Sequence, residues 1–130
     1  MAVINRTHSR AVEAAALAGS AGRVVEAESP GETERAIAQA DLVVNATPVG
    51  MGTTEGSTTA WPADPALLHE GQVAADLLYV PRPTPWLAAA ASAGATPVDG
   101  LGMLVHQAAA QIELWTGQAA PVEAMWAAVV

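Results

Sequence analysis

Two arginines, Arg6 and Arg10, flank the start of a predicted helix in the stretch "NRTHSRA". Thr7 between them suits the N-cap position, and the first turn of a helix leaves backbone N–H groups without intrahelical partners. The helix dipole adds partial positive charge at the same end. Guanidinium groups beside such amides form a suitable site for a phosphate. The alternative is a capped surface helix with solvated arginines, and these residues alone do not decide between the two.

The elements around this cluster predict an open α/β sheet. Short apolar runs alternate with helical segments, and such alternation favours parallel strands joined by right-handed crossovers. We expect strands at 2–5, 23–27, 41–45, 72–77 and 96–98. We expect helices at 8–18, from 29 onward, and at 86–93, 102–116 and 121–129, with a long loop over 46–63.

The cluster therefore stands at the carboxyl end of a strand, where open α/β sheets bind their ligands. In dinucleotide-binding sheets, a carboxylate at the end of the second strand bonds the 2′-hydroxyl of NAD, whereas an arginine there accommodates the 2′-phosphate of NADP. This chain has Asn5 and Arg6 at that point, and we expect no acid there.

Composition narrows the possible functions. With 52% hydrophobic residues and a net charge of −8, the 130-residue chain is expected to be globular and to avoid nucleic acid and anionic membranes. It contains no cysteine, and all five of its Lys and Arg residues are arginines, which excludes disulfides, thiolate metal sites and a catalytic lysine. No apolar run has the length of a membrane span or the character of a signal peptide, so we expect a cytoplasmic protein.

Four segments together resemble the shikimate dehydrogenase family, specifically its C-terminal NADP-binding domain. They are "NRTHSRA" (5–11), "DLVVNATPVGM" (41–51), "ADLLYVPRPTPWL" (75–87) and "VDGLGMLVHQAAAQIELWTG" (98–117). The resemblance extends from about Val3 to Val130, and we interpret residues 1–130 as one partial Rossmann domain. It implies reduction of 3-dehydroshikimate to shikimate with NADPH, in aromatic amino-acid biosynthesis.

The resemblance also implies roles for individual residues. A clamp on the adenosine 2′-phosphate is implied for Asn5, Arg6, Thr7 and Arg10. A loop and a strand end facing the cofactor are implied for Asn45, Ala46, Thr47, Val49 and Leu77. Nicotinamide contacts are implied for Gly100 and Met103, and substrate contacts for Tyr79 and Gln107.

Several of these residues have a structural alternative. Gln107 could be a solvated helix residue, Met103 a core residue and Tyr79 a packed loop aromatic. Asp76, at a strand end, could act as a base or could bond loop amides. The three histidines lack the spacing of metal ligands, so we expect no metal site.

The chain departs from the family pattern in two respects. The family has an N-terminal substrate domain with a catalytic lysine–aspartate pair, and this sequence has no lysine. The family also has a first Rossmann strand followed by a glycine-rich loop, whereas the matched segments here start at the second strand. The stretch "MGTTEG" (51–56) does not fit the dinucleotide fingerprint.

The first strand lies in the middle of the 3-2-1-4-5-6 order, so its omission separates a pair of strands from a trio. Either the gap closes, or two open edges recruit another chain. We expect imperfect closure, weak stability or self-association, and little turnover by this chain alone. The alternatives are a non-catalytic NADP-binding or partner-binding module, half of a split enzyme, or a truncated product with no independent role; the choice between shikimate and quinate stays open.

Overall fold

The structure is a computed structural model that describes residues 1–52 and 61–129. Its five strands are β1 (Ala2–Asn5), β2 (Arg23–Glu26), β3 (Leu42–Asn45), β4 (Val73–Asp76) and β5 (Thr96–Val98). Its five α-helices are α1 (His8–Ala16), α2 (Pro30–Ala38), α3 (Pro85–Ser92), α4 (Leu101–Thr116) and α5 (Val122–Val129). The expected long loop and the "MGTTEG" stretch lie partly outside the described residues.

The strands form two separate parallel sheets. One contains β1 and β2, with Ala2 opposite Arg23 and Asn5 opposite Glu26. The other has the order β3-β4-β5, with Asn45 opposite Asp76 at the carboxyl end. The predicted α/β class with parallel strands and flanking helices is confirmed, and so is the division into a pair and a trio. Within the described residues, β1 and β3 do not pair.

The element boundaries differ slightly from those predicted. Helix α1 ends at Ala16, two residues before the expected end, and a short 3-10 turn follows over Gly19–Ala21. Gly19 takes a φ of +55°, a left-handed conformation that glycine adopts at little cost, which fits the break in the helix. A second 3-10 turn covers Pro65–Leu67, before β4.

The main core lies between α3 and the three-stranded sheet. Trp86, Leu87 and Ala90 of α3 are buried and pack with Ala74 of β4. The small alanine allows the helix to approach the strand closely, because it adds little side-chain volume between them. The Trp86 indole N–H also donates to the Ala63 carbonyl at 3.0 Å, which fixes the large ring in the core.

The carboxyl end of α2 is anchored to the start of β4 by Gln72, which is almost completely buried. Its amide nitrogen donates to the carbonyls of Ile37 at 2.9 Å and Ala40 at 2.6 Å, and its amide oxygen accepts from the His69 N–H at 3.0 Å. The last carbonyls of a helix need partners from outside it. Gln72, which directly precedes β4 of the three-stranded sheet, therefore provides the hydrogen-bond donor that these carbonyls lack within α2.

His69 adds an exposed contact at the same place. Its Nδ1 lies 2.8 Å from the Glu70 carbonyl oxygen and its Nε2 lies 3.1 Å from that of Ala38. A neutral imidazole donates from one nitrogen only, whereas the protonated ring donates to both carbonyls. The Glu70 carbonyl, followed by that of Ala38, accordingly raises the pKa of His69 above its ordinary value.

Candidate functional site

The predicted phosphate cluster lies at the carboxyl end of β1. Thr7 occupies the N-cap position of α1, but its hydroxyl makes no capping hydrogen bond, contrary to the expectation that it caps the helix. Its own N–H instead donates to the Asn5 side-chain oxygen at 2.8 Å, because Asn favours such a turn with the backbone two residues on. The first turn of α1 thus keeps N–H groups that no side chain covers.

Arg6 and Arg10 are both exposed beside this helix end. Across residues 1–52 and 61–129, neither guanidinium group forms an ion pair. Two cations without internal partners, next to helix N–H groups, are available to an anionic ligand.

An acidic residue that we did not expect stands beside this cluster. Glu26 ends β2 directly opposite Asn5, and its Oε1 lies 2.8 Å from Nδ1 of His8. Glu26 belongs to β2, so the prediction that β1 itself ends in Asn5 and Arg6 with no acid is unchanged. The strand register could have revealed Glu26, because β1 and β2 have equal lengths and start opposite each other.

The second group of predicted residues lies at the carboxyl ends of β3 and β4. The Asn45 side chain is 2% exposed, and its nitrogen donates to Asp76 at 2.9 Å and to the Val49 carbonyl at 3.1 Å. Its oxygen accepts from the N–H and the hydroxyl of Thr47, at 3.0 and 2.7 Å. The Thr47 hydroxyl oxygen also accepts from the Val49 N–H at 3.2 Å. The side chain of Asn45 therefore orders the 45–49 loop from inside.

Asp76 joins this loop to the one that follows β4. Also 2% exposed, its carboxylate accepts from Asn45, from the Leu78 N–H at 3.1 Å and from the Thr84 hydroxyl at 2.8 Å. All three of these hydrogen bonds come from the protein's own loop and strand-end groups. Of the two interpretations, this geometry supports the bonding of loop groups rather than the role of a base.

The predicted nicotinamide residues meet where α4 begins. Gly100 is buried, and its N–H donates to the Leu78 carbonyl at 3.2 Å. A Cβ at Gly100 would lie 2.2 Å from the Leu77 carbonyl oxygen, so only glycine permits this approach of helix to strand end. Its φ is an ordinary −77°, so the need for glycine here comes from lack of space, not from backbone conformation.

The remaining predicted residues are positioned around that contact. Met103 and Gln107 are exposed; Met103 lies three residues after Gly100 and Gln107 four residues after Met103, which places all three on one side of α4. Leu77 and Tyr79 are exposed at the end of β4. Ala46 is exposed, whereas Thr47 and Val49 are half-buried in the neighbouring loop.

The predicted residues of the 45–49 loop, the end of β4 and α4 thus lie around the three-stranded sheet. The Asn5–Arg10 cluster lies at the end of the two-stranded sheet. Among the described residues, no group of three or more His, Asp or Glu side chains could hold a metal ion. His106 instead packs edge-on against Trp126 of α5, with ring centroids 6.2 Å apart. None of the described helices is long and apolar enough to cross a membrane.

Comparison with known proteins gives consistent similarities. The family model for the Shikimate 5′-dehydrogenase C-terminal domain matches residues 100–130. The chain is 50% identical to a shikimate dehydrogenase (NADP(+)) from Methanopyrus kandleri over 99 residues, which cover 76% of this chain and 33% of that protein.

Two solved structures extend the comparison to the fold. Shikimate 5-dehydrogenase from Listeria monocytogenes, in complex with shikimate and NAD, matches 99% of this chain and 46% of its own, with a TM-score of 0.82 and 26% identity. Quinate dehydrogenase from Corynebacterium glutamicum, in complex with NAD, matches 95% of this chain and 43% of its own, with a TM-score of 0.78 and 34% identity. The chain therefore spans between a third and just under half of the length of these three proteins.

Proposed function

The chain belongs to the shikimate dehydrogenase family, and on that premise we propose that it provides the NADP-binding part of an oxidoreductase acting on 3-dehydroshikimate and shikimate. We propose residues 1–130 as a partial NADP-binding domain, in the service of aromatic amino-acid biosynthesis. The observation that carries the proposal is the cationic cluster at the end of β1, which has the chemistry that a 2′-phosphate requires.

The adenosine end of NADP fits this cluster. Arg6 and Arg10 are exposed and form no ion pair in the described parts of the chain, so both can bond the phosphate oxygens. The N–H groups of the first turn of α1 add donors directed the same way. Asn5 holds Thr7 in place through its side-chain oxygen, and thereby sets where the helix begins.

The nicotinamide end fits the surface around Gly100. Leu77 and Met103 supply exposed apolar side chains on either side of this glycine, which suit one face of a flat ring. Ala46, Thr47 and Val49 bound the same area through a loop that Asn45 keeps in one conformation. We propose that Tyr79 and Gln107, which are both exposed and polar at their tips, contact substrate hydroxyl groups.

When bound, the reduced cofactor would supply a hydride to the substrate ketone. Reduction of a ketone also requires a proton at the oxygen, and this sequence has no lysine to deliver one. Asp76 is buried and internally bonded, so it does not supply the proton either. We therefore propose little or no turnover by this chain alone, and rapid NADPH oxidation by the pure chain with 3-dehydroshikimate would contradict that.

A non-catalytic NADP-binding module, or half of a split enzyme, is the second candidate, and the lack of lysine favours it. The two roles separate when the chain is mixed with a separately expressed N-terminal half of a related dehydrogenase. Restored oxidation of NADPH indicates a split enzyme, whereas NADP binding without activity indicates a binding module.

The cofactor assignment is tested by Arg6→Asp with NADP⁺ and NAD⁺ as the two ligands. Loss of a charged hydrogen-bond donor should weaken NADP⁺ binding by about tenfold or more, measured as Kd by calorimetry. NAD⁺ binding should change little, because NAD lacks the phosphate. The matched control is Arg23→Asp, which makes the same charge change at the opposite end of the strand pair. Equal weakening of both ligands would remove the assignment.

We also propose that the isolated chain associates through its open sheet edges. In the described residues, β1 pairs with β2 alone and β3 with β4 alone, so one side of each strand is free to bond another strand. Leu42 and Val44 of β3 are also exposed apolar side chains. Sedimentation should reveal dimers or larger species at micromolar concentration, and a stable monomer that unfolds cooperatively would contradict this.

A further inference from the structure

The acid beside the phosphate cluster has a fixed place in the fold. Asn5 and Glu26 are register partners at the carboxyl ends of β1 and β2, and neighbouring strands lie about 4.8 Å apart. Glu26 therefore stands at the same sheet edge as Arg6 and the start of α1. The backbone supports this position, because the Glu26 carbonyl accepts from the Ser29 N–H and from the Thr33 hydroxyl.

The Glu26 carboxylate faces α1 rather than empty solvent. It contacts His8, in the first turn of α1, at 2.8 Å, and the two side chains are 58% and 61% exposed. His8 lies between Arg6 and Arg10 in the sequence, so the pair is part of the cluster and not a distant surface feature.

Other charged groups lie on the elements around Glu26. They are Arg10 and Glu13 on α1, Arg6 before it, Arg23 and Glu28 on and after β2, Glu32, Glu34 and Arg35 on α2, and the terminal ammonium of Met1. The ammonium bonds the Ala21 carbonyl, and Arg23 lies at the opposite end of β2. Glu26 is accordingly the carboxylate that the structure places in contact with the helix start.

We infer that the His8–Glu26 pair sets how strongly this chain prefers a 2′-phosphorylated nucleotide over an unphosphorylated one. The inference rests on the proposed NADP site. An ionised carboxylate at this edge repels a phosphate dianion and lowers the advantage that Arg6 and Arg10 give to NADP. His8 contacts that carboxylate at 2.8 Å and so holds it beside the helix start, where the phosphate would bind.

The direct test is Glu26→Gln, which keeps the size of the side chain and removes its charge. At about pH 8 and low ionic strength, NADP⁺ binding should tighten about two- to fivefold, the range expected for one exposed charge pair. NAD⁺ binding should stay within about twofold, because it has no 2′-phosphate for the carboxylate to repel. Glu28→Gln is the matched control, since it removes an exposed acid two residues farther along.

The outcomes are distinct. An unchanged ratio of NADP⁺ to NAD⁺ affinity in Glu26→Gln, or an equal change for both ligands, overturns the inference and leaves the proposed function intact. If the unmodified chain binds neither dinucleotide, the proposed NADP site fails and the inference fails with it. A shift of the ratio in Glu26→Gln that Glu28→Gln does not reproduce supports the inference.

Discussion

Two carboxylates at strand ends show how differently the two sheets are built. Asp76 ends β4, is 2% exposed and accepts three hydrogen bonds from loops on either side. Glu26 ends β2, has a side chain that is 58% exposed, and contacts one imidazole. The first is part of a closed polar network, whereas the second is part of an open, charged surface.

This difference in burial indicates which substitutions should change stability and which should change ligand binding. A buried network costs much to break, because each group left without a partner has lost its hydration as well. Exposed charges are screened by solvent and salt, so they contribute little to folding but act on a charged ligand. Substitutions in the buried Asp76 network should therefore alter stability, and substitutions of the exposed charges at the end of the two-stranded sheet should alter ligand preference.

The largest expected effect is that of Asp76→Ala. It leaves Asn45, Thr84 and the Leu78 N–H without their acceptor in a buried place, and should lower the free energy of unfolding by about 3 kcal/mol or more. Urea unfolding measures it. Asp41→Ala, at the exposed start of β3, should change the value by less than about 0.5 kcal/mol. Similar decreases in the free energy of unfolding for both variants would contradict the distinction between buried and exposed carboxylates.

Next in size is a pair of glycine substitutions at the start of α4, one at its N-cap and one in its first turn. Gly100→Ala places a Cβ 2.2 Å from the Leu77 carbonyl oxygen, and should destabilise the chain by about 1–3 kcal/mol because helix and strand must move apart. Gly102→Ala meets nothing closer than Trp126 at 3.9 Å, and should stabilise by up to about 1 kcal/mol through helix propensity. Thermal unfolding compares them, and destabilisation of the same size in both would exclude the steric explanation.

The smallest effect concerns His69, which is exposed although it belongs to the trio. Because two carbonyls raise its pKa, the folded state holds the proton more tightly than the unfolded state does. Its contribution is fully present below the ordinary value of 6.5 and is lost as the pH rises through the raised value. Stability should therefore fall slightly as the pH rises from about 6.5 through the raised pKa of His69, and His69→Gln should flatten the curve of stability against pH. The control His106→Gln should leave the pH dependence of stability unchanged. If the pH dependence persists in His69→Gln, it belongs to another titrating group.

Much of the architecture could be predicted from the sequence, because apolar runs and breakers mark the strands and helices locally. The division into a pair and a trio followed from the family resemblance, in which the matched segments lack the first strand that lies in the middle of the strand order. The partners of Asp76 could not be predicted, since Asn45 lies 31 positions away and only the strand register brings the two together. Gly100 was assigned by resemblance, but its closeness to Leu77 depends on how α4 docks, which no local pattern encodes.

The hydrogen bonds from Gln72 to the end of α2 affect the order in which the elements of the chain fold during synthesis. The ribosome releases the first two strands and α2 early, yet the amide that holds the end of α2 belongs to a residue made more than thirty positions later. We therefore expect the early part of the nascent chain to remain loosely attached until β4 has emerged. A pause in translation before Gln72 should leave that part accessible to proteases and chaperones.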